Sequence, residues 1–378
     1  MLFFYLFACI PLAVGAFCWI RSKEVVWWEW VAGSVVGFAV SGICHLIAFH
    51  GLTTDVETWS GQIVKTTHHP KWIEEYQEMH MRTVGSGKNQ RTEIYYTTEH
   101  RTHRKHWTCD ISYGTKEAVK EITESFFDEI VKNFGDKIET VQGYRPGFDG
   151  GDRNDYVAHN NTGYVYPTIE TYTWHNRVKA APSVFTFAKV PKDVKVYGYP
   201  ANKDWRASNR LLGTASRVNL LEWDRMNSRL GPTKKVNVIL VGFGNQDKQM
   251  GFWQEAAWFG GKKNDLVLCF GSDGDKTTWS YVFGWTEQEI VKRNLETILL
   301  QNNVNTELIP KIEKEVYENY IIKEWDKFNY ISIEPPLWSY IVLIVVMVAS
   351  QTGFWWWAHH NEPSKEKRKK YGRIGLYY

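Results

Sequence analysis

The chain has 378 residues, 43% hydrophobic, 15% aromatic and 23% charged, which excludes a disordered or low-complexity polypeptide. A mean hydropathy of −0.40 excludes a polytopic transporter, because most of the mass must sit in water. The net charge of +3 is carried by residues 361–378, where six Lys/Arg oppose Glu362 and Glu366; the rest sums to −1, and no global attraction to nucleic acid follows.

Residues 1–20 (MLFFYLFACIPLAVGAFCWI) contain no charged side chain. At about 1.5 Å per residue, such a stretch covers the roughly 30 Å hydrocarbon core and predicts a first transmembrane helix. A cleaved signal peptide is the alternative; the lack of a basic n-region and of a small-x-small site before Arg21 favours an uncleaved anchor. Residues 31–50 predict a second span, in which Gly33, Gly37, Ser41 and Ala48 suit close packing against the first. Residues 52–204 read as β-rich, with the best strands over Arg91–Ser112 and a hairpin tip at Gly85-Ser86-Gly87. One amphipathic helix is predicted over 115–134, with Ala118, Val119, Ile122, Phe126, Ile130 and Phe134 on one stripe between a Thr115 cap and Gly135. Gly143–Gly163 reads as a surface loop, and Tyr164–Tyr199 as short β-like runs broken by Pro167, Pro182 and Pro191.

From Lys234 the pattern alternates strand and helix. KKVNVILVGFG reads as a strand buried on both faces, Asn245–Gly260 as helical, and Asp265–Phe270 and Trp279–Trp285 as further strands. Thr286–Leu300 is a helix opened by a Thr286-x-x-Glu289 capping box, and Glu307–Phe328 a final long helix. Residues 337–357 predict a third span. Its Phe354-Trp355-Trp356-Trp357 end, with Trp27, Trp28, Trp30, Trp338 and Tyr340, suits interfacial aromatic belts. A basic tail, 358–378, follows. Arg21, Lys23 and the six tail cations predict a cytoplasmic loop and tail, leaving Gly51–Glu334 extracytoplasmic, in the periplasm of a bacterial cell. The expected fold class is α+β and membrane-anchored: three transmembrane helices plus a large ectodomain with a three-layer α/β subdomain over 205–330.

The order strand, helix, GGKKNDLVLCFG, strand and amphipathic helix over 205–330 resembles the TPM domain of membrane-tethered extracytoplasmic proteins. The whole plan, with its RLLGTAS, DRMNSRLGPTK and YVFGWTEQE segments, is similar to uncharacterised membrane proteins of large tailed bacteriophages. The TPM resemblance implies either a divalent-metal-dependent phosphohydrolase or an assembly module. The acidic ligands it implies fall near Asp273 and Asp275, here in a short Ser-Asp-Gly-Asp turn.

Four constellations carry candidate chemistry. His100, His103, His106 and Cys109 are three residues apart and of soft-metal ligand type; on a strand, successive members point to opposite faces, and the bland reading is a solvated basic strand. His68, His69 and His80 supplement the set if the fold brings them near. Asp149, Asp152, Asp155, Asp247, Asp273 and Asp275 offer oxygen ligands for calcium or another divalent cation, against a reading as turn residues, and otherwise no cofactor is expected. VGFGNQDKQMG (Val241–Gly251) places glycines between strand and helix without the dinucleotide spacing. Cys109 and Cys269 are the two ectodomain thiols and are disulfide candidates, or two buried small hydrophobes. No nucleophile elbow, Walker loop or H-E-x-x-H is present. The expectation is a non-enzymatic, membrane-anchored envelope protein presenting its ectodomain for protein interaction or assembly. The phosphohydrolase and a self-associating membrane scaffold are the alternatives. Expected partners are the lipid bilayer and a protein or second copy, without nucleic acid.

Overall fold

The computed structural model describes residues 27–87, 90–202, 204–206, 209–274 and 276–360, with Cys9, Ile10 and Ala13. In chain order the elements are α1 (Trp27–Thr53), β1 (Thr54–His69), β2 (Trp72–Val84), β3 (Arg91–His103), β4 (His106–Ser112), β5 (Glu117–Ile122), α2 (Glu124–Asn133), β6 (Glu139–Gln142), β7 (Phe148–Gly151), β8 (Asn154–His159) and β9 (Pro167–His175). There follow β10 (Leu211–Gly213), α3 (Leu220–Lys234), β11 (Asn237–Gly242), α4 (Gln249–Ala257), β12 (Asp265–Asp273), β13 (Lys276–Gly284), α5 (Ile290–Gln301), α6 (Ile309–Asn319) and α7 (Leu337–His360). The fold is mixed α+β, and the chain divides into two compact units, one of residues 1–56, 173–189 and 324–378, the other of 57–172 and 190–323.

In the first unit, Val31–Thr53 and Leu337–Trp357 are long and apolar enough to cross a membrane. Apart from three residues, the predicted span 1–20 lies outside the described residues, as does the tail from 361. α1 meets α7 at Gly33: a Cβ there would stand 3.0 Å from the Phe354 ring, and Gln351 Nε2 donates to Gly33 O at 3.1 Å. Such close approach brings the α1 backbone and the Phe354 ring into dispersion contact. Residues 173–189 are tied to the foot of these helices. Asn176 Nδ2 donates to Asp55 Oδ2 at 2.9 Å, Arg177 donates to Asn329 O at 2.7 Å, and Trp174 packs edge-on against Trp325.

The second unit holds three sheets. The largest runs β5-β4-β1-β8-β6, with β9 also paired to β1, and α2 covers one face through Ile130 and Phe134 over Ile63, Cys109 and Ile111. β3-β2-β7 is a narrow second sheet. The third, β10-β11-β12-β13, is parallel up to β12 and antiparallel at β13. Alternate residues face opposite cores: Val238, Leu240, Leu266 and Leu268 pack under α3, α5 and α6, whereas Ile239, Val241, Val267 and Cys269 pack against Met250, Ala257 and Trp258 at α4. Burial on both faces explains why all six β11 residues are inaccessible and the run reads as continuously apolar. The strands step one way across the sheet while α3 and α4 lie on opposite faces, so the two crossovers have opposite hands and one is of the rare left-handed kind.

Several sequence expectations are corrected. The helix predicted over 115–134 is strand β5 followed by α2. Glu117–Ile122 pairs with β4 and exposes every second residue, Val119 among them, while Thr123, not Thr115, caps the helix by accepting from Phe126 N. The Gly143–Gly163 loop contains β7 and β8; pairing to β1 and β6 on either side satisfies the β8 backbone that its Asn/Asp composition made look like turn. From Tyr164 to Tyr199 only β9 is a strand. The long helix predicted over 307–328 stops at Asn319, because Thr286 bridges to Ile322 and both Thr286 Oγ1 and Glu287 N donate to Ile321 O. The same Thr286 hydroxyl accepts from Gln288 N, so it is not the helix cap of a capping box, and α5 begins at Ile290 without a side-chain cap. Cys109 and Cys269 are both free thiols in separate apolar cores, which rules out their pairing in this fold.

Candidate functional site

β2 and β3 pair through thirteen consecutive rungs, from Trp72 opposite His103 to Val84 opposite Arg91. At about 3.4 Å per residue this ribbon is roughly 40 Å long. The predicted Gly85-Ser86-Gly87 tip closes it, and β7 pairs only with Trp72–Glu74 at its base. Side chains alternate between two faces of different character. On the first face, Glu74 accepts from His103 Nε2 at 2.8 Å, Arg101 lies over the Tyr76 ring, His80 stacks on Tyr95, and Arg82 bonds Glu93 at 3.2 Å. On the second, Met79 stands opposite Tyr96 and Met81 opposite Ile94. These four are 49%, 62%, 64% and 55% exposed, a contiguous apolar block on an otherwise polar ribbon.

At the base of the ribbon lies a cluster of imidazoles that register, not spacing, assembles. β1–β4 pairing sets His69 opposite His106 and His68 opposite Trp107; β1–β8 pairing sets His68 opposite Tyr156. His69 Nδ1 is 3.0 Å from Asp155 Oδ1, and its Nε2 is 3.1 Å from Thr108 Oγ1. Because an ionised carboxylate only accepts, the imidazole carries its proton on Nδ1 and accepts a hydrogen bond from the Thr108 hydroxyl at Nε2. Asp155 is also paired with Arg145, whose guanidinium lies over Trp72, and Trp72 stacks on His103 with centroids 4.1 Å apart. Burial lowers the pKa of His69 and of His68, outweighing the opposing pull of Asp155, so both favour the neutral form. Carboxylate, imidazole and hydroxyl thus form a polarised chain tying β8, β1 and β4 together. Sequence reasoning grouped His68 and His69 with the later histidines only in general terms and missed the Asp155 and Thr108 partners, which carry no local signal.

The sequence-predicted metal ligands are dispersed. His100 faces Asp149 at 3.4 Å, His103 stands at the ribbon base, His106 stacks on His69, and Cys109 is fully buried with its thiol pushed up to about 12 by burial. Asp152 accepts from the Tyr156 hydroxyl at 2.6 Å. Asp247 accepts from Gln249 N at the start of α4, so a carboxylate of the chain itself occupies the helix end to which the VGFGNQDKQMG glycines lead. Asp273 is exposed at the end of β12, opposite Lys276, and Asp275 lies outside the described residues. Among the described residues, one trio of ligand-type side chains converges, and of the sequence candidates it holds only His80: Glu78, His80 and Glu99 on the first face of the ribbon.

No protein-family profile, curated protein or solved structure matches the chain.

Proposed function

We propose that this chain is a membrane-anchored protein that binds a protein partner through the β2–β3 ribbon. The apolar stretches 31–53 and 337–357 hold it in the bilayer. The cations of the 21–23 loop and of the tail support a cytoplasmic tail and an extracytoplasmic location for residues 57–323, the topology of an envelope protein with an assembly or interaction role. The observation that carries the binding reading is the ribbon itself: paired over thirteen residues per strand, covered by β7 only at its base, with Met79, Met81, Ile94 and Tyr96 uncovered. A two-stranded ribbon has no core beneath it, so apolar side chains there gain burial only from another surface.

Two measurements test this. Alkaline carbonate extraction leaves the full-length chain in the membrane pellet; recovery in the supernatant refutes the anchor. A photo-crosslinking residue at Met81 yields a discrete adduct in membranes, Ile94→Asp abolishes it, and the same probe at Glu318 on α6 gives none. Equal adducts at both positions, or no adduct at Met81, refute the ribbon as the contact element.

A further inference from the structure

The first face of the ribbon is electrostatically balanced along most of its length. Glu74 is met by Arg101 and His103, and Glu93 by Arg82 and Arg91. Glu78 and Glu99 differ. Neither forms an ion pair with a Lys or Arg among the described residues; His80 Nε2 is 4.0 Å from Glu78 Oε2. Glu78 and His80 are two apart on β2, and Glu99 stands opposite Tyr76 on β3, so alternation puts all three on one face in neighbouring rungs. One ligand atom from each lies within 4.8 Å of the other two. Thr97 Oγ1 lies 2.8 Å from His80 Nε2 and 3.3 Å from Glu99 Oε1, so a single hydroxyl orients two of the three. Two carboxylates diagonal to one another on one face of a strand pair repel, and among the described residues no Lys or Arg nitrogen lies within 4.0 Å of either to offset this.

We propose that Glu78, His80 and Glu99 form a binding site for a first-row divalent transition-metal ion, with zinc as its type. The donor set selects the ion. Calcium and magnesium take oxygen ligands, whereas an imidazole nitrogen beside two carboxylates suits zinc and its neighbours. Three protein ligands leave at least one position of a tetrahedral ion open to water or to a donor from another molecule. The ion bridges β2 and β3 in the stretch of ribbon that β7 does not reach, so it staples the exposed arm as well as neutralising it. This site is on the opposite face from the apolar block and stands whether or not that block binds a partner.

The test is calorimetric titration of the untagged, metal-stripped full-length chain in detergent with zinc, and separately with calcium. Saturable binding of one zinc per chain is expected, weakened at least tenfold by His80→Ala and by Glu99→Gln and unchanged by His106→Ala. Calcium binds at least tenfold more weakly. With cobalt as the probe, the visible band of a tetrahedral ion appears for the parent chain and is lost in Glu99→Gln. Glu78 and Glu99 are exposed and His80 is half-buried, and an unchanged far-ultraviolet dichroism spectrum separates loss of the ion from loss of the fold. No saturable zinc binding, equal binding by His80→Ala, or tighter binding of calcium overturns the site.

Discussion

Replacing Asp224 by Ala should loosen the α/β sheet at its buried edge. Arg210, 2% exposed, precedes β10, and its guanidinium donates to Asp224 at 3.0 Å, to Asn237 Oδ1 at 2.7 Å and to Ser60 Oγ at 2.7 Å. Asn237 in turn donates to Asp265, whose two oxygens also accept from the Tyr199 hydroxyl. Burial pulls the Arg210 pKa down and Asp224 opposes it, so removing Asp224 leaves a guanidinium charge in a dry site. Stranding one member of a buried pair costs about 3–5 kcal/mol, and the lower figure applies because Asp265 sits only one asparagine side chain further on. About 3 kcal/mol is roughly a 150-fold rise in the local opening constant. The assay is hydrogen exchange of the β11 amides, resolved by peptide, in detergent. Glu313→Gln is the control: the Arg229–Glu313 pair is bidentate at 2.6 and 2.7 Å, yet its Arg is 40% exposed, and its loss costs under about 1 kcal/mol. A change in β11 exchange below about fivefold in Asp224→Ala, or one no larger than in the control, refutes the reasoning.

Acidification should destabilise the second unit through His68 and His69. Both have pKa values lowered by burial from the ordinary 6.5, so below that value the unfolded chain binds protons the folded chain refuses; stability is full above it and falls as pH drops towards the lowered folded values. Among the described residues His68 Nε2 has no hydrogen-bond partner and is buried between Trp107 and Tyr156, so His68→Phe should shrink the fall in melting temperature between pH 7.5 and 5, and an unchanged fall argues against this origin. Gly231→Ala should destabilise by about 1–3 kcal/mol in chemical denaturation despite the better helix propensity of Ala, since its Cβ would stand 2.3 Å from Ser60 O. Peptide-resolved alkylation should leave Cys109 and Cys269 unmodified in the folded chain and modify both, without prior reduction, once it is denatured.

What could be read locally was read. The apolar stretches around 31–53 and 337–357 follow from composition alone, since some twenty residues without charge favour lipid in any fold. The strand cores at 237–242 and 265–270 and the hairpin tip at 85–87 follow from continuous apolarity and from Gly-Ser-Gly between two alternating runs. Glu117–Ile122 was ambiguous because Ala118 and Ile122 share a side at a spacing of four residues in a helix and in a strand alike; the free edge of β4 decided for the strand. Similarly, Gly33 and its small neighbours announced a close helix contact but not that α7 would make it. The imidazole cluster and the ribbon trio lay beyond sequence reasoning for one reason. His69 and Asp155 are 86 residues apart, and Glu78 reaches Glu99 only through strand register. Which stretches leave water is a property of the residues in them, summed locally. Which histidine meets which carboxylate is set by hydrogen bonds between distant strands, and only the folded chain forms those.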